Sequence, residues 1–457
     1  MLKVIQVFHS DNCETNTVLR NHVTLLKQGL IPISIFKVVK IDFIKRIKSI
    51  SNLDYIFIKN NALLTNEFSK YLRSNDKNDN LVYGDSIVKD EVDWYESRPD
   101  WSPNLFRETE YIGDVYAMLN TYYRVEKLSR FNELLDLTLN INDSRGPNIR
   151  KLDFAVSTRV STQNSDFAIP ILYDENNSKK LTNIIRDYDL VEDKCLSVVI
   201  PTIYKTFEGE PMLNRCIENL RKEFKNYLSK IIIVCNKNVI SNNFKLTESL
   251  KESEDILIVE TSGEFNFSNS INTGAIKCDS KYLLILNDDV FIENRSTAKH
   301  ILSHLLDENT GAVGSILVYP SGDIQHAGIV FRSERPENMF RGSPKEKFEH
   351  LLNSCREVSG VTGAFILLRK STFDLVGGMD EKYPLNFGDV EFMMRIRQYG
   401  KSIILCSKFL GLHLESQSQD DINHDLVNLE FERFRKHVGY LPTRDPYIYS
   451  AAIRRNH

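Results

Sequence analysis

No two of the seven cysteines, Cys13, Cys195, Cys216, Cys235, Cys278, Cys355 and Cys406, stand in a CxxC pair. That spacing argues against a zinc site and against a thioredoxin-like redox site. An odd, scattered set fits a reducing cytoplasm better than a disulfide framework. No apolar run approaches the roughly 18–20 residues of a membrane span. Neither sign of charge dominates: the net charge is −4 and the pI is near 6.3, so no global basic field invites nucleic acid. No repeat with a period of about 20–50 residues is present. The start, MLKVIQVFHSDNC, holds one Lys and an apolar stretch broken by Gln6 and His9; it makes a poor signal peptide and reads as a first β-strand. What remains is an ordinary globular composition, 42% apolar and 26% charged over 457 residues, long enough for two domains or one large one.

The polar stretch 174–195 separates two textures. After it, Leu196–Ile200 at the start of LSVVIPT, stopped by Pro201, then KIIIVCN (230–236), DILIVE (255–260) and YLLILNDD (282–289) read as short buried strands. Between them, residues 211–228 place Leu213, Cys216, Ile217, Leu220 and Phe224 at helical spacing, and 269–279 suits a second helix. This alternation predicts an α/β domain with a mostly parallel sheet. In such sheets ligands sit beyond the carboxyl ends of the strands. Pro201-Thr202, Cys235-Asn236 and Asp288-Asp289 all fall at those ends and should converge on one edge.

Three clusters there carry chemistry. Adjacent Asp288 and Asp289 suit either a surface turn or a hard divalent cation bound through oxygen. Asp389 opens a predicted helix, where it would either cap backbone N–H groups or act as a general base held rigidly. Glu391 would favour the first turn of that helix. His413, between Leu412 and Leu414, reads as a packed histidine or as a metal ligand.

Taken in order, LSVVIPT, IIIVCN, FNFSNSINTGA (265–275), YLLILNDDV, GAVGSILVYPSGDIQHAGIVF (311–331), VTGAFILLRKSTFDLVGGMDE (361–381), FGDVEFMMRIRQYG (387–400) and LGLHLES (410–416) resemble glycosyltransferase family 2, inverting enzymes of the GT-A fold. They are most similar to rhamnosyltransferase-type and O-antigen or capsule biosynthesis domains. The resemblance implies a Rossmann-like catalytic domain over 191–424 and Mn²⁺ or Mg²⁺ as cofactor. It implies Asp289 and His413 as metal ligands, with a share for Asp288, since Asn287 stands where the family has its first Asp. Asp389 falls on the catalytic base, with Gly388 where Glu often stands. Pro201, Thr202, Asn272, Gly274 and Gly363 fall on donor-contacting segments. The family's Asp after the second strand is Cys235 here. A thiol replaces a carboxylate acceptor poorly, which leaves Asn236 or a later residue for that role.

The first 190 residues are read as a shortened, non-catalytic GT-A-like domain. RPDWSPNLF (98–106) and 167–177 resemble parts of the first domain of tandem family members, and Asn60 and Asn61 stand where an acidic turn would be. Residues 425–457 are read as a helical tail, with Leu426, Leu429, Phe434 and Val438 on one face. Its end, with Tyr447, Tyr449, Arg454 and Arg455, leaves contact with an anionic membrane or a partner open. The implied partners are a UDP- or dTDP-sugar and a glycan or lipid-linked glycan acceptor. The implied place is the cytoplasm, with the inner face of the membrane and homo-oligomerisation open. Two other readings compete. A sugar nucleotidyltransferase needs a Gly- and Arg-rich loop after the first strand, which PTIYKTFEGEPM lacks. A non-catalytic glycan-binding or scaffolding protein fits Cys235 but has no need for both a base and metal ligands. Residues 332–357 are expected to form an acceptor-side flap.

Overall fold

In this computed structural model the described residues are segments of 3–170, residues 191–414 with short gaps, 424–438 and 445–447. The chain divides into two compact units, Met1–Leu181 with Pro446–His457, and Thr182–Asp445.

The first unit has an eight-stranded sheet. The predicted first strand is present as Lys3–Phe8, paired in parallel with Ile31–Phe36 and Asp54–Ile58. Helices Thr15–Lys27 and Asn66–Arg73 place Leu25, Phe68 and Leu72 in a core with Ile56, Val82 and Ala117. Asn21 joins two segments, donating to the Ala62 carbonyl and accepting from the Leu64 N–H. Asn60, Asn61, residues 98–106 and 171–177 lie outside the described residues.

The second unit is built on a ten-stranded mixed sheet. Its strands are β1 (Leu196–Thr202), β2 (Leu228–Asn236), β3 (Ile256–Thr261), β4 (Tyr282–Leu286), β5 (Val290–Asn294), β6 (Thr310–Val318), β7 (Arg356–Val358), β8 (Phe365–Arg369) and β9 (Ser402–His413), together with Ile324–His326 on β6. The order is β3-β2-β1-β4-β8-β6-β9-β5. The first four strands run parallel, as their uninterrupted apolar texture predicts. Beyond β4 the sheet turns mixed: β8 is antiparallel to β4 and β6, and β9 is parallel to β6 but antiparallel to β5.

Pro201 does not end β1, which runs on to Thr202 opposite Cys235. Pairing of β1 with β4 stops at Val199 and Ile285, so the last residues of β1 have a free edge where a missing N–H costs nothing. Helix α1 (Met212–Glu223) buries Leu213, Cys216, Ile217 and Leu220, with Phe224 buried at its C-cap, the face expected from their spacing. Helix α2 (Phe267–Ala275) starts before the expected position because Asn266 caps it, accepting the Asn269 N–H at 3.0 Å. Helix α3 (Ala298–Ser303) follows β5, α4 (Gly388–Gln398) precedes β9, and α5 is His424–Val438. The packed face of α5 is rotated from the expected one. Phe434 is buried and Phe431 and Val438 pack beside it against Ile329, Tyr383 and Val390, whereas Leu429 is exposed. Tyr449, Arg454 and Arg455 lie outside the described residues. No helix among the described residues is long and apolar enough to cross a membrane.

Candidate active site

The parallel half of the sheet ends in a polar edge. At the end of β1, Thr202 donates its hydroxyl to Asp288 Oδ2 while its oxygen accepts the Tyr204 N–H at 2.8 Å. Burial pushes the Asp288 carboxyl up to about 6; the Thr202 bond opposes this and the neighbouring Asp289 charge adds to it. The acidic turn then feeds β5, whose first residue, Val290, pairs with His413 at the end of β9. That antiparallel register sets Asp289 beside His413, with Nε2 and Oδ1 3.1 Å apart. The other ring nitrogen, Nδ1, lies 2.7 Å from Gln325 Oε1; the tautomer that donates to this oxygen presents its Nε2 lone pair toward Asp289. Two acceptors at that separation repel unless a proton or cation joins them. An imidazole and carboxylates at one strand edge form a donor set that suits Mn²⁺ or Mg²⁺, so these residues fit the implied ion.

A second carboxylate comes from the helix side. Asp389 accepts N–H bonds from Gly363 and Val390, each at 2.8 Å. Burial raises its carboxyl above the ordinary value, against these bonds. The helix entry is unusual. Phe387 has φ 60°, a left-handed conformation uncommon for a bulky residue, and it stacks on Phe434 at 5.6 Å between centroids. A Cβ on Gly388 would lie 2.9 Å from Ser268 Oγ and 3.3 Å from the Tyr383 carbonyl oxygen. The Ser268 hydroxyl is committed to that carbonyl at 2.8 Å. A side chain at 388 would therefore have to displace the Ser268 hydroxyl from this bond, which favours glycine here.

A cavity of about 600 Å³ opens between these groups, lined by Pro201, Asp288, Asp289, Gly363, Asp389 and His413. It thus joins segments more than two hundred positions apart. Thr202 reaches it only through Asp288. The hairpin Ile329–Arg332/Arg335–Asn338 and Arg341, from the segment expected as a flap, add Pro336, Glu337 and Asn338 to the lining. His326 holds Asn338 at 2.6 Å, and burial keeps its imidazole neutral, down to about 4.

Three residues expected at the donor do not line this cavity. Both ends of the Asn272 amide are occupied: it donates to the Met379 carbonyl and Glu381 and accepts the Met379 N–H. Gly274 is a packing glycine, since a Cβ there would sit 2.5 Å from Val199 Cγ1 and 2.9 Å from Val234 Cγ2. Asn236 closes its own turn, donating to the Gly263 carbonyl and accepting the Asn238 N–H. Cys235 is buried and its thiol is pushed up to about 11, so it stays neutral. Glu391 forks onto Arg395 at 2.6 and 2.7 Å and stiffens α4.

Sequence reasoning missed Lys205 and Arg341, which bring positive charge to the lining, and Glu430 on α5. Fully buried, Glu430 accepts the N–H groups of Leu385 and Asn386 and the Asn386 amide, at 3.1, 3.2 and 2.7 Å. It thereby anchors the cavity wall that leads to Asp389. Replacement by alanine strands those donors and is expected to cost about 1–3 kcal/mol of stability, with Glu430→Gln losing less. Urea unfolding of the three chains checks this; equal midpoints would contradict it.

Residues 197–377 match the family model described as Glycosyl transferase family 2. O-antigen biosynthesis protein RfbC of Myxococcus xanthus is 26% identical over 260 residues, 55% of this chain and 20% of that protein. Uncharacterized protein y4gI of Sinorhizobium fredii (strain NBRC 101917 / NGR234) is 25% identical over 278 residues, 57% of this chain and 29% of that protein. The chain thus spans less than a third of the length of either relative. Among solved structures, GalNAc-T7 with UDP, GalNAc and Mn²⁺ overlaps 55% of this chain and 52% of its own, at 16% identity and a TM-score of 0.38. The mannosyltransferase PcManGT of Pyrobaculum calidifontis in complex with GDP-Man and Mn²⁺ overlaps 58% and 71%, at 13% identity and a TM-score of 0.40. Thr202, Asp288 and Asp289 fall inside the segment that matches this family model, and Asp389 and His413 lie beyond the matched span.

Proposed function

We propose that the second unit is a metal-dependent, inverting glycosyltransferase of GT-A type. It moves a sugar from a nucleotide-sugar, a UDP- or dTDP-sugar, to a hydroxyl of a glycan or lipid-linked glycan acceptor in surface polysaccharide synthesis. The family match supports the reaction class and the O-antigen relative supports the acceptor class. The observation that carries the reading is one cavity lined by the Asp289–His413 pair and by the Asp389 carboxylate.

A divalent cation held by Asp289 and His413, with Asp288 beside them, would neutralise charge on the departing nucleoside diphosphate. Lys205 and Arg341 add cationic partners for phosphate oxygens. Asp389 takes the proton of the acceptor hydroxyl as that oxygen attacks the anomeric carbon from the face opposite the leaving group. Its two backbone N–H bonds fix the carboxylate in place beforehand. Pro201 and Gly363 shape the donor pocket. Residues 1–190 are assigned no catalysis and serve acceptor binding or assembly.

Nucleoside diphosphate release from a panel of UDP-, dTDP- and GDP-sugars, with Mn²⁺ or with EDTA, tests this. Release from one donor that EDTA abolishes is the expected result. Absence of release together with absence of donor binding by calorimetry would leave a glycan-binding or scaffolding protein instead.

A further inference from the structure

A second cluster of ligand atoms lies away from the cavity. His300 and His304 are one helical turn apart, on α3 and the 3-10 turn (His304–Leu306) that continues it. Cys355 immediately precedes β7, and Cys406 lies on β9. The Arg356–Leu405 pairing of β7 with β9 sets the two cysteines side by side, although 51 positions separate them in the chain. Cys355 Sγ is 3.8 Å from Cys406 Sγ and 4.0 Å from His300 Nε2. One ligand atom from each of the four residues lies within 4.8 Å of all the others.

We propose that His300, His304, Cys355 and Cys406 form a structural zinc site. In a tetrahedral site with Zn–S of about 2.3 Å and Zn–N of about 2.0 Å, the two sulfurs stand about 3.8 Å apart and sulfur and nitrogen about 3.5 Å. The sulfur pair already has that spacing. The widest separation, within 4.8 Å, leaves at most about 1–1.5 Å for side-chain torsions to close. Two thiolates and two imidazoles select zinc among the common divalent ions by softness and geometry. Two thiolate charges cancel the ion's, so the centre enters the core as a neutral unit with no charge left unpaired. His304, Cys355 and Cys406 are buried and His300 is 9% exposed. That leaves no open coordination position and marks the ion as structural. Ser407 Oγ, 3.6 Å from Cys355 Sγ, is placed to hydrogen-bond the thiolate.

The site would tie α3 to β7 and β9. Helix α3 follows β5, which starts directly after Asp289, and β9 ends on His413. Zinc would therefore brace the β5–β9 pair at a distance from the Asp289–His413 contact. The expectation of no zinc site rested on cysteine spacing in the chain. Here the spacing is set by a strand ladder, and the i, i+4 histidine pair was the one local sign.

The full chain, purified from zinc-supplemented culture without chelator, should carry about one zinc by elemental analysis. Cys355→Ser with Cys406→Ser should lose it, and Asp289→Ala should keep it. Refolding with cobalt should give the visible absorption of a tetrahedral ion with thiolate charge transfer. Should the double variant fail to fold, X-ray absorption at the zinc edge of the unaltered chain decides: two sulfur and two nitrogen neighbours support the site, and a shell of oxygen and nitrogen alone overturns it. A folded, zinc-free chain with reduced thiols, or with a Cys355–Cys406 disulfide in unreduced peptides, overturns it equally.

Discussion

Replacing Asp389 by alanine is expected to lower turnover by about 10²–10⁴-fold while donor affinity changes little. The carboxylate sits at the start of α4, accepts two backbone N–H bonds, and lies in the cavity wall apart from the acidic turn. Its loss removes a proton acceptor and leaves the phosphate-binding groups in place. The pH profile should carry the same signature. Burial favours the protonated form of Asp389, and the base works as the carboxylate. Activity is therefore lost as pH falls through the raised value, so the acid limb should lie above the range of an exposed aspartate, about 4. The sign for stability is opposite. A carboxyl whose folded value is raised stabilises the fold below its unfolded value, and that contribution disappears as pH rises through the folded value. At neutral pH burial of the Asp389 charge costs stability, and the N–H bonds from Gly363 and Val390 offset part of that cost, so the chain should lose stability as pH rises through the raised value. Calorimetric donor binding, steady-state rates against pH and thermal unfolding together check the assignment. Unchanged turnover with strongly weakened donor binding would move Asp389 into the donor site.

Why the sequence showed one half of this site and hid the other follows from how each half is built. Strands β1 and β4 are buried along their whole length and β2 over Ile231–Cys235, so apolar runs announce them, and a parallel sheet puts their polar ends on one edge. Asp288 and Asp289 were legible for that reason. The pairing of Asp289 with His413 was legible only through the resemblance, because it depends on the Val290–His413 register across a long connection. Asn272 and Gly274 show the converse. A glycine within van der Waals range of Val199 and Val234 and a glycine against a ligand look alike in a string of letters. Glu430 was invisible because its three donors lie some 45 positions away, on a loop whose path no local pattern predicts. The glycine at 388 becomes interpretable only once Ser268 and the Tyr383 carbonyl are seen against it.

Asp289→Ala and His413→Ala should each abolish the response to Mn²⁺ and lower kcat/KM by several kcal/mol, about a thousandfold. Either change removes one of the two groups that now stand 3.1 Å apart. Gln325→Leu is a gentler probe of the same pair. In the proposed site Gln325 Oε1 would accept the Nδ1 proton of His413 and so keep the Nε2 lone pair toward Asp289 and the ion. Without it the ring can turn or change tautomer, and metal affinity should fall about 10–100-fold while Asp289 and His413 both remain. The expected order of Mn²⁺ affinity, measured by electron paramagnetic resonance, is unaltered chain, then Gln325→Leu, then the two alanine chains. EDTA should silence the unaltered enzyme, and added Mn²⁺ should restore it. An Asp289→Ala chain that still binds Mn²⁺ and turns over in proportion to it would place the ion elsewhere. The Nε2–Oδ1 contact would then be a protonated ion pair that merely closes the β5–β9 ladder.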